Sequence, residues 1–228
     1  MTRSTTNMRQ FLFVTLVFLS FTSFAYGDPL SPAEVKDLLA KIRDRRAAAP
    51  HVQADFREEK TIRLMNKPIG SAGNVLFEAP NKFRREVKGN APSVTVSNGR
   101  ELWIYYPNFK SAEHYALGKR SPIDSAIAAI NTALNMENLE STFDVTGAKI
   151  DNGYELELRP RSGSMKRMFQ KFDLRLNNDL LASRTEILQP NGDRVITTYS
   201  NQSRAQIPAA AFDFTPPPGT EITTPLGR

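Results

Sequence analysis

An alternation of apolar and polar positions on both sides of Asn98-Gly99 predicts a β-hairpin near the middle of the chain. The dipeptide favours a type I′ turn, because both residues accept the positive φ angles that this turn requires. One face of the hairpin would then carry Val94, Val96, Trp103 and Tyr105. The opposite face would carry Leu102, Ile104 and Tyr106. Since both faces of the second strand are apolar, either a helix covers the side away from the core or the sheet curves around an apolar hollow.

Period-two alternation predicts further strands along most of the chain. The stretches are 52–64, 73–78, 82–88, 112–117, 142–150, 154–159, 168–176, 180–188 and 194–201. Together with the hairpin they make about ten or eleven strands. Tight turns between them favour an antiparallel meander, which we expect to curl towards a barrel because curling hides the sheet edges. In the tail, Phe212 and Phe214 are predicted to alternate inward before prolines stop the strand.

The first helix is predicted by a capping box, in which Ser31 and Glu34 enclose Pro32 at the first helical position. Apolar residues then recur at helical spacing at Val35, Leu38, Leu39 and Ile42. We expect this helix to reach about Arg46, with charged residues on its other face.

A second helix is predicted from Ser121, again with Pro at its first position and Asp124 in the first turn. It has almost no polar face as far as Leu134, which is unusual for a helix at a protein surface. Two interpretations remain open: it is a buried core helix, or it is a movable lid over an apolar cavity.

The start of the chain is typical of a signal peptide, with Arg3 and Arg9 before an apolar run and small residues at 25–27. We predict cleavage before Asp28, which leaves residues 28–228 as one domain exported from the cytoplasm. The chain has no cysteine, which excludes a lipid-modified Cys anchor. The net charge of +6 is mild and interleaved, and it falls by two without the leader, so nucleic acid is not an expected partner.

Catalytic and metal-binding patterns are not found in the sequence. His51 and His114 lie in different segments without a second ligand at metal spacing, and neither a Gly-x-Ser-x-Gly motif nor a glycine-rich phosphate loop occurs. We therefore expect no enzyme activity, no metal and no cofactor. The surplus of apolar positions instead favours a lipid or acyl ligand, because each buried CH₂ contributes about 0.8 kcal/mol.

Four stretches in this order resemble the periplasmic outer-membrane lipoprotein carrier family, the LolA-like proteins. They are 52–56 (VQADF), 73–84 with its GNVLF and PNKFR segments, 96–107 (VSNGRELWIYYP) and 212–219 (FDFTPPPG). The resemblance implies an unclosed antiparallel β-barrel in which helices cover a hydrophobic cavity. It also implies acylated lipoproteins as cargo, taken from an inner-membrane lipoprotein-releasing transporter and delivered to an outer-membrane lipoprotein acceptor. We expect the carrier to be a monomer.

The cavity and lid residues expected from this resemblance and from the pattern share an apolar or aromatic side chain. They are Leu38, Phe56, Phe83, Val94, Val96, Trp103, Tyr105, Ile123, Ile127, Ile130 and Leu134. In the family an Arg that latches the lid commonly precedes the Pro of the third strand, and here that position is Ala79. Arg84 and Arg85 are the possible replacements for the latch. A sensor that binds lipid or lipoprotein, or a carrier for one specialised lipid, is the alternative function.

Overall fold

The computed structural model describes residues 27–117 and 139–225. These residues form thirteen strands in one sheet. The strands are β1 (Asp28–Pro29), β2 (His51–Thr61), β3 (Ile69–Glu78), β4 (Lys82–Lys88), β5 (Ser93–Ser97), β6 (Glu101–Tyr106), β7 (Ser111–Ala116), β8 (Phe143–Ile150), β9 (Gly153–Pro160), β10 (Lys171–Leu176), β11 (Ala182–Leu188), β12 (Arg194–Ser203) and β13 (Glu221–Thr223). The helices are α1 (Pro32–Ala48) and two short ones, Leu139–Thr142 and Gly163–Lys166.

The strand order is β1-β8-β9-β10-β11-β12-β2-β3-β4-β5-β6-β7-β13, so the sheet does not close on itself. The prediction of a mainly β, unclosed antiparallel architecture is confirmed, with one exception: β13 pairs with β7 in parallel. The described residues form thirteen strands, two more than the upper limit of the ten or eleven that the sequence predicts. Both extra strands lie at the edges and are two and three residues long, too short for alternation to reveal them.

Two meanders make up this sheet, β2 to β7 and β8 to β12, and a single seam between β12 and β2 joins them. At the seam Thr197 lies opposite Glu58, a residue 139 positions earlier in the chain, and the two side chains share a hydrogen bond of 3.2 Å. The edge strand of the first meander, β2, therefore has its backbone hydrogen bonds completed by β12, which lies far along the chain.

The first helix begins as the sequence predicts. The Ser31 hydroxyl accepts a hydrogen bond from the Glu34 amide at 3.4 Å, and the Ser31 amide donates to the Glu34 carboxylate at 2.7 Å. The apolar stripe of α1 is buried against leucines of β9 and β10 and against Phe143. We call the face of the sheet on which α1 packs the interior face and the opposite one the outer face.

The central hairpin differs from the prediction in its turn. Val94 lies opposite Tyr105, and the Asn98 amide donates to the Glu101 carbonyl at 3.3 Å, so Gly99-Arg100 is the turn instead of Asn98-Gly99. Gly99 has a φ of +86°, whereas Arg100 is not left-handed, which fits type II′ rather than type I′. The shift is two residues in register, so each side chain keeps its predicted face.

The tail also departs from its predicted strand. Residues Ala209–Phe212 form a 3-10 turn, and the chain then runs across the outer face of the first meander before it reaches β13. Phe212 is buried as expected.

Candidate functional site

The interior face of the first meander is a wall of mostly apolar side chains, which is interrupted on β5 where Ser97 lies between Phe83 and Leu102. Residues that lie directly opposite each other in a ladder share a face, so the registers place Phe77, Phe83, Leu102 and Tyr115 in one row of this wall. Phe77, Leu102 and Tyr115 are buried. The remaining apolar side chains of the wall, which are half-buried, include Val75, Phe83, Val87 and Ile104. The wall can therefore offer further apolar area to a bound molecule.

Three of the predicted cavity residues lie on the interior side. Phe56 is buried on β2, and Phe83 packs beside Leu102 and Tyr115. Leu38 is 4% exposed and belongs to the cluster between α1 and the second meander. That end of the interior is occupied by the protein's own buried side chains.

Four other predicted cavity residues lie on the outer face, which does not agree with one shared cavity. They are Val94, Val96, Trp103 and Tyr105. The tail covers them: the Phe214 ring centroid lies 6.0 Å from that of Trp103 and 5.7 Å from that of Tyr105. A cavity of about 120 Å³ remains between this tail and the strands. The apolar character of both faces of β6 thus has a simple cause, since the chain's own C-terminal segment covers the second face.

The four lid residues of the second predicted helix lie outside the described residues. They are Ile123, Ile127, Ile130 and Leu134. Whether they form a core helix or a lid stays a prediction.

The two candidate latch arginines point to opposite faces, because they are neighbours on one strand. Arg84 lies on the outer face, where it donates to Glu86 at 2.6 Å and to the carbonyl of Ala211 in the tail at 3.3 Å. Arg85 lies on the interior face. Its guanidinium forms an ion pair with Glu58 at 2.9 Å and stands 4.3 Å above the ring of Phe56. Arg84 therefore holds the tail, and only Arg85 faces the side on which a lid would close.

Sequence reasoning missed two carboxylates of the interior face, those of Glu58 and Glu113. Glu58 alternates with the same period as Phe56, so the strand pattern itself carried this signal. At the far end of the wall Glu113 accepts hydrogen bonds from the hydroxyls of both Tyr106 and Tyr115. Burial first, and then this hydrogen bond, raise the pKa of Tyr115 to about 12.

Arg46 is a further interior residue that the pattern analysis left out. It follows Ile42 by four positions and Leu39 by seven, so it lies on the buried stripe of α1 and not on its charged face. Its guanidinium carbon is 5.8 Å from the centroid of the Phe77 ring, on the apolar wall.

The described residues contain no group of three or more His, Cys, Asp or Glu that could hold a metal ion. His51 lies 3.8 Å from Glu78, and His114 stacks on Trp103 with 4.1 Å between the ring centroids. Both histidines thus have structural neighbours on the outer face. No helix within the described ranges is long and apolar enough to cross a membrane.

Comparison with known families identifies the chain's relatives. Residues 48–215 match the family model described as outer membrane lipoprotein carrier protein LolA. The protein belongs to the LolA family. The outer-membrane lipoprotein carrier protein of Glaesserella parasuis is 26% identical over 215 residues, which cover 93% of this chain and 94% of that one. The protein of the same name from Dechloromonas aromatica is 28% identical over 207 residues, covering 90% and 94%.

Among solved structures, an uncharacterized conserved protein from Thermus thermophilus has the same fold. It aligns with a TM-score of 0.52 at 14% identity, over 84% of this chain and 99% of that one. At this level of identity the likeness shows only that the two proteins share a fold.

At the position where LolA-like proteins commonly carry the latch Arg, Ala79 is half-buried. Its amide donates to the carbonyl of Pro50 at 3.0 Å, and its methyl group offers no polar atom. The guanidinium of Arg46 lies over the ring of Phe77, two residues before this position in the chain. A cationic side chain is thus present near the end of β3, but it is that of Arg46 and comes from α1.

Proposed function

We propose that the protein is a soluble periplasmic carrier that binds the acyl chains of lipoproteins and moves them from the inner to the outer membrane. Membership of the LolA family and the relatives named as lipoprotein carriers support this function. On this proposal the mature chain is 28–228, an inner-membrane transporter loads it and an outer-membrane acceptor unloads it. It performs no catalysis.

The observation that carries the proposal is the interior wall of the first meander. Its half-buried members, among them Phe83, Val87 and Ile104, can lose more exposed area when an acyl chain lies on them. At about 25 cal/mol per Å² of apolar area removed from water, a chain of some sixteen carbons gains on the order of 10 kcal/mol. The outer face does not offer this gain, because the tail already covers its aromatic residues.

Adjacent residues of β6 give a direct test, since Ile104 faces the interior and Tyr105 the outer side. The exported protein is purified from cells that make acylated lipoproteins, and bound cargo is measured by mass spectrometry. We expect Ile104→Asp to remove most of the copurifying acylated cargo, because a carboxylate against an acyl chain is costly. Tyr105→Asp is the matched control and should retain cargo if it remains folded.

Thermal melting of both variants shows whether either substitution has unfolded the protein. The proposal is wrong if the wild-type protein never carries acylated lipoprotein. It is also wrong in its choice of face if Tyr105→Asp, and not Ile104→Asp, releases cargo from a folded protein.

A further inference from the structure

Arg46 places a guanidinium on the interior side of the sheet, in the last turn of α1. Its carbon lies 5.8 Å from the ring centroid of Phe77, a buried residue of the apolar wall. The Nη1 atom is inaccessible to solvent and has no hydrogen-bond partner among the residues that the structure describes. A buried polar group without a partner costs free energy, so its position calls for an explanation.

No carboxylate of residues 27–117 and 139–225 forms an ion pair with Arg46. The second interior arginine, Arg85, also has a buried nitrogen, Nη2, without a well-aligned hydrogen bond, but that atom forms an ion pair with Glu58 at 2.9 Å. The charged residue that acts on Arg46 is another cation, Arg204, whose own guanidinium donates to the carbonyl of Asp179 at 2.8 Å. Burial and this neighbour lower the pKa of Arg46 to about 10, so it is still charged at neutral pH.

A permanent positive charge beside an apolar wall matches an amphiphile with an acidic end. We propose that Arg46 binds the anionic head of an acyl lipid, a carboxylate or a phosphate that is covalently attached to the acyl chain. This inference rests on the acyl-binding face of the proposed carrier and extends its cargo from acylated lipoproteins to acyl lipids that have an acidic head. The planar guanidinium can donate two parallel hydrogen bonds to such a head, while the acyl chain lies along the wall that begins at Phe77. A neutral acyl ligand would leave the charge of Arg46 uncompensated.

The test compares ligands that differ in the head alone. The exported protein is stripped of lipid by organic extraction and titrated at pH 8 with cis-parinaric acid and with its methyl ester, both followed by their own fluorescence. We expect the acid to bind at least about tenfold more tightly, the range of a charge-assisted hydrogen bond. In Arg46→Met that preference should fall to about one, with ester binding unchanged. Arg45→Met, an exposed neighbour on α1, should behave as wild type.

Further ligands identify the source of the anion. Lysophosphatidic acid should bind more tightly than the monoacylglycerol of the same chain length, whereas inorganic phosphate at millimolar concentration should displace neither acid. If inorganic phosphate does displace the bound acids, the site needs no acyl chain and the requirement for a lipid is overturned. Equal binding of acid and ester by wild type, or a preference kept by folded Arg46→Met, would overturn the role of Arg46 and leave the carrier function standing. If wild type binds none of the acyl probes, both proposals fail.

Discussion

Replacing Arg46 by Met should make the ligand-free protein more stable. Burial, the larger cause, and the nearby Arg204 lower the pKa of Arg46 to about 10, and at roughly 1.4 kcal/mol per pKa unit this shift costs the charged form about 3 kcal/mol. The contact with the Phe77 ring returns about 1 kcal/mol of that cost. Met keeps the apolar part of the side chain, so we expect a net gain of about 1–2 kcal/mol in the free energy of unfolding.

The measurement is urea denaturation of delipidated protein at pH 7.5, followed by the fluorescence of Trp103, with Arg45→Met as the control that should change by less than about 0.5 kcal/mol. The folded pKa lies below the ordinary value, so the unfolded chain binds more protons in the window that opens at about pH 10 and ends at the ordinary pKa of arginine. The cost of Arg46 is therefore complete below about pH 10 and is relieved as the pH rises through that window. A loss of 1 kcal/mol or more in Arg46→Met would refute this reasoning, since it would mean that the cation has a stabilising partner.

Three further substitutions test the packing and the charges. Phe212→Ala should lower the free energy of unfolding by about 3–5 kcal/mol in a urea titration, because Phe212 is 2% exposed, whereas Phe109→Ala, 80% exposed, should change it by less than about 0.5; similar losses would contradict the tail packing. Glu58→Gln should cost about 1–3 kcal/mol, and a double-mutant cycle with Arg85→Met should show that the two losses are not additive; additive losses would mean that the ion pair contributes nothing. Tyr115 should ionise near pH 12 in a spectrophotometric titration, and Tyr115→Phe should remove that step. Because burial and the Glu113 hydrogen bond raise its folded pKa, its contribution to stability is complete below about pH 10 and is lost as the pH rises towards 12. A wild-type protein without this late step would be inconsistent with that buried, hydrogen-bonded hydroxyl.

Local sequence pattern was sufficient for all strands but the two short ones at the sheet edges, for the start of α1 and for the face that each hairpin residue occupies. Alternation is a property of the strand itself, so Trp103 and Ile104 could be assigned to opposite faces without knowledge of their neighbours. The turn was placed one residue early, because Asn98-Gly99 satisfies type I′ locally while the ladder extends to a bond between Asn98 and Glu101.

The pattern could not show what covers each face. Trp103 and Tyr105 looked like cavity residues because an apolar outer face requires a cover, and that cover comes from Phe214, more than a hundred positions later in the chain. Arg46 was overlooked for a related reason. A charged residue at a helix end is usually solvated, and its place on the buried stripe is decisive only once Phe77 is known to lie beneath it.

The single seam between β12 and β2 has a consequence for the order in which the protein can fold. During synthesis the first meander can assemble from neighbouring hairpins, but the backbone of β2 keeps one row of free amides and carbonyls until β12 has been made. Almost the entire chain must therefore leave the ribosome before that row is satisfied. A chain that stops short of Arg194 would leave one edge of β2 unpaired and able to pair with a strand of another molecule.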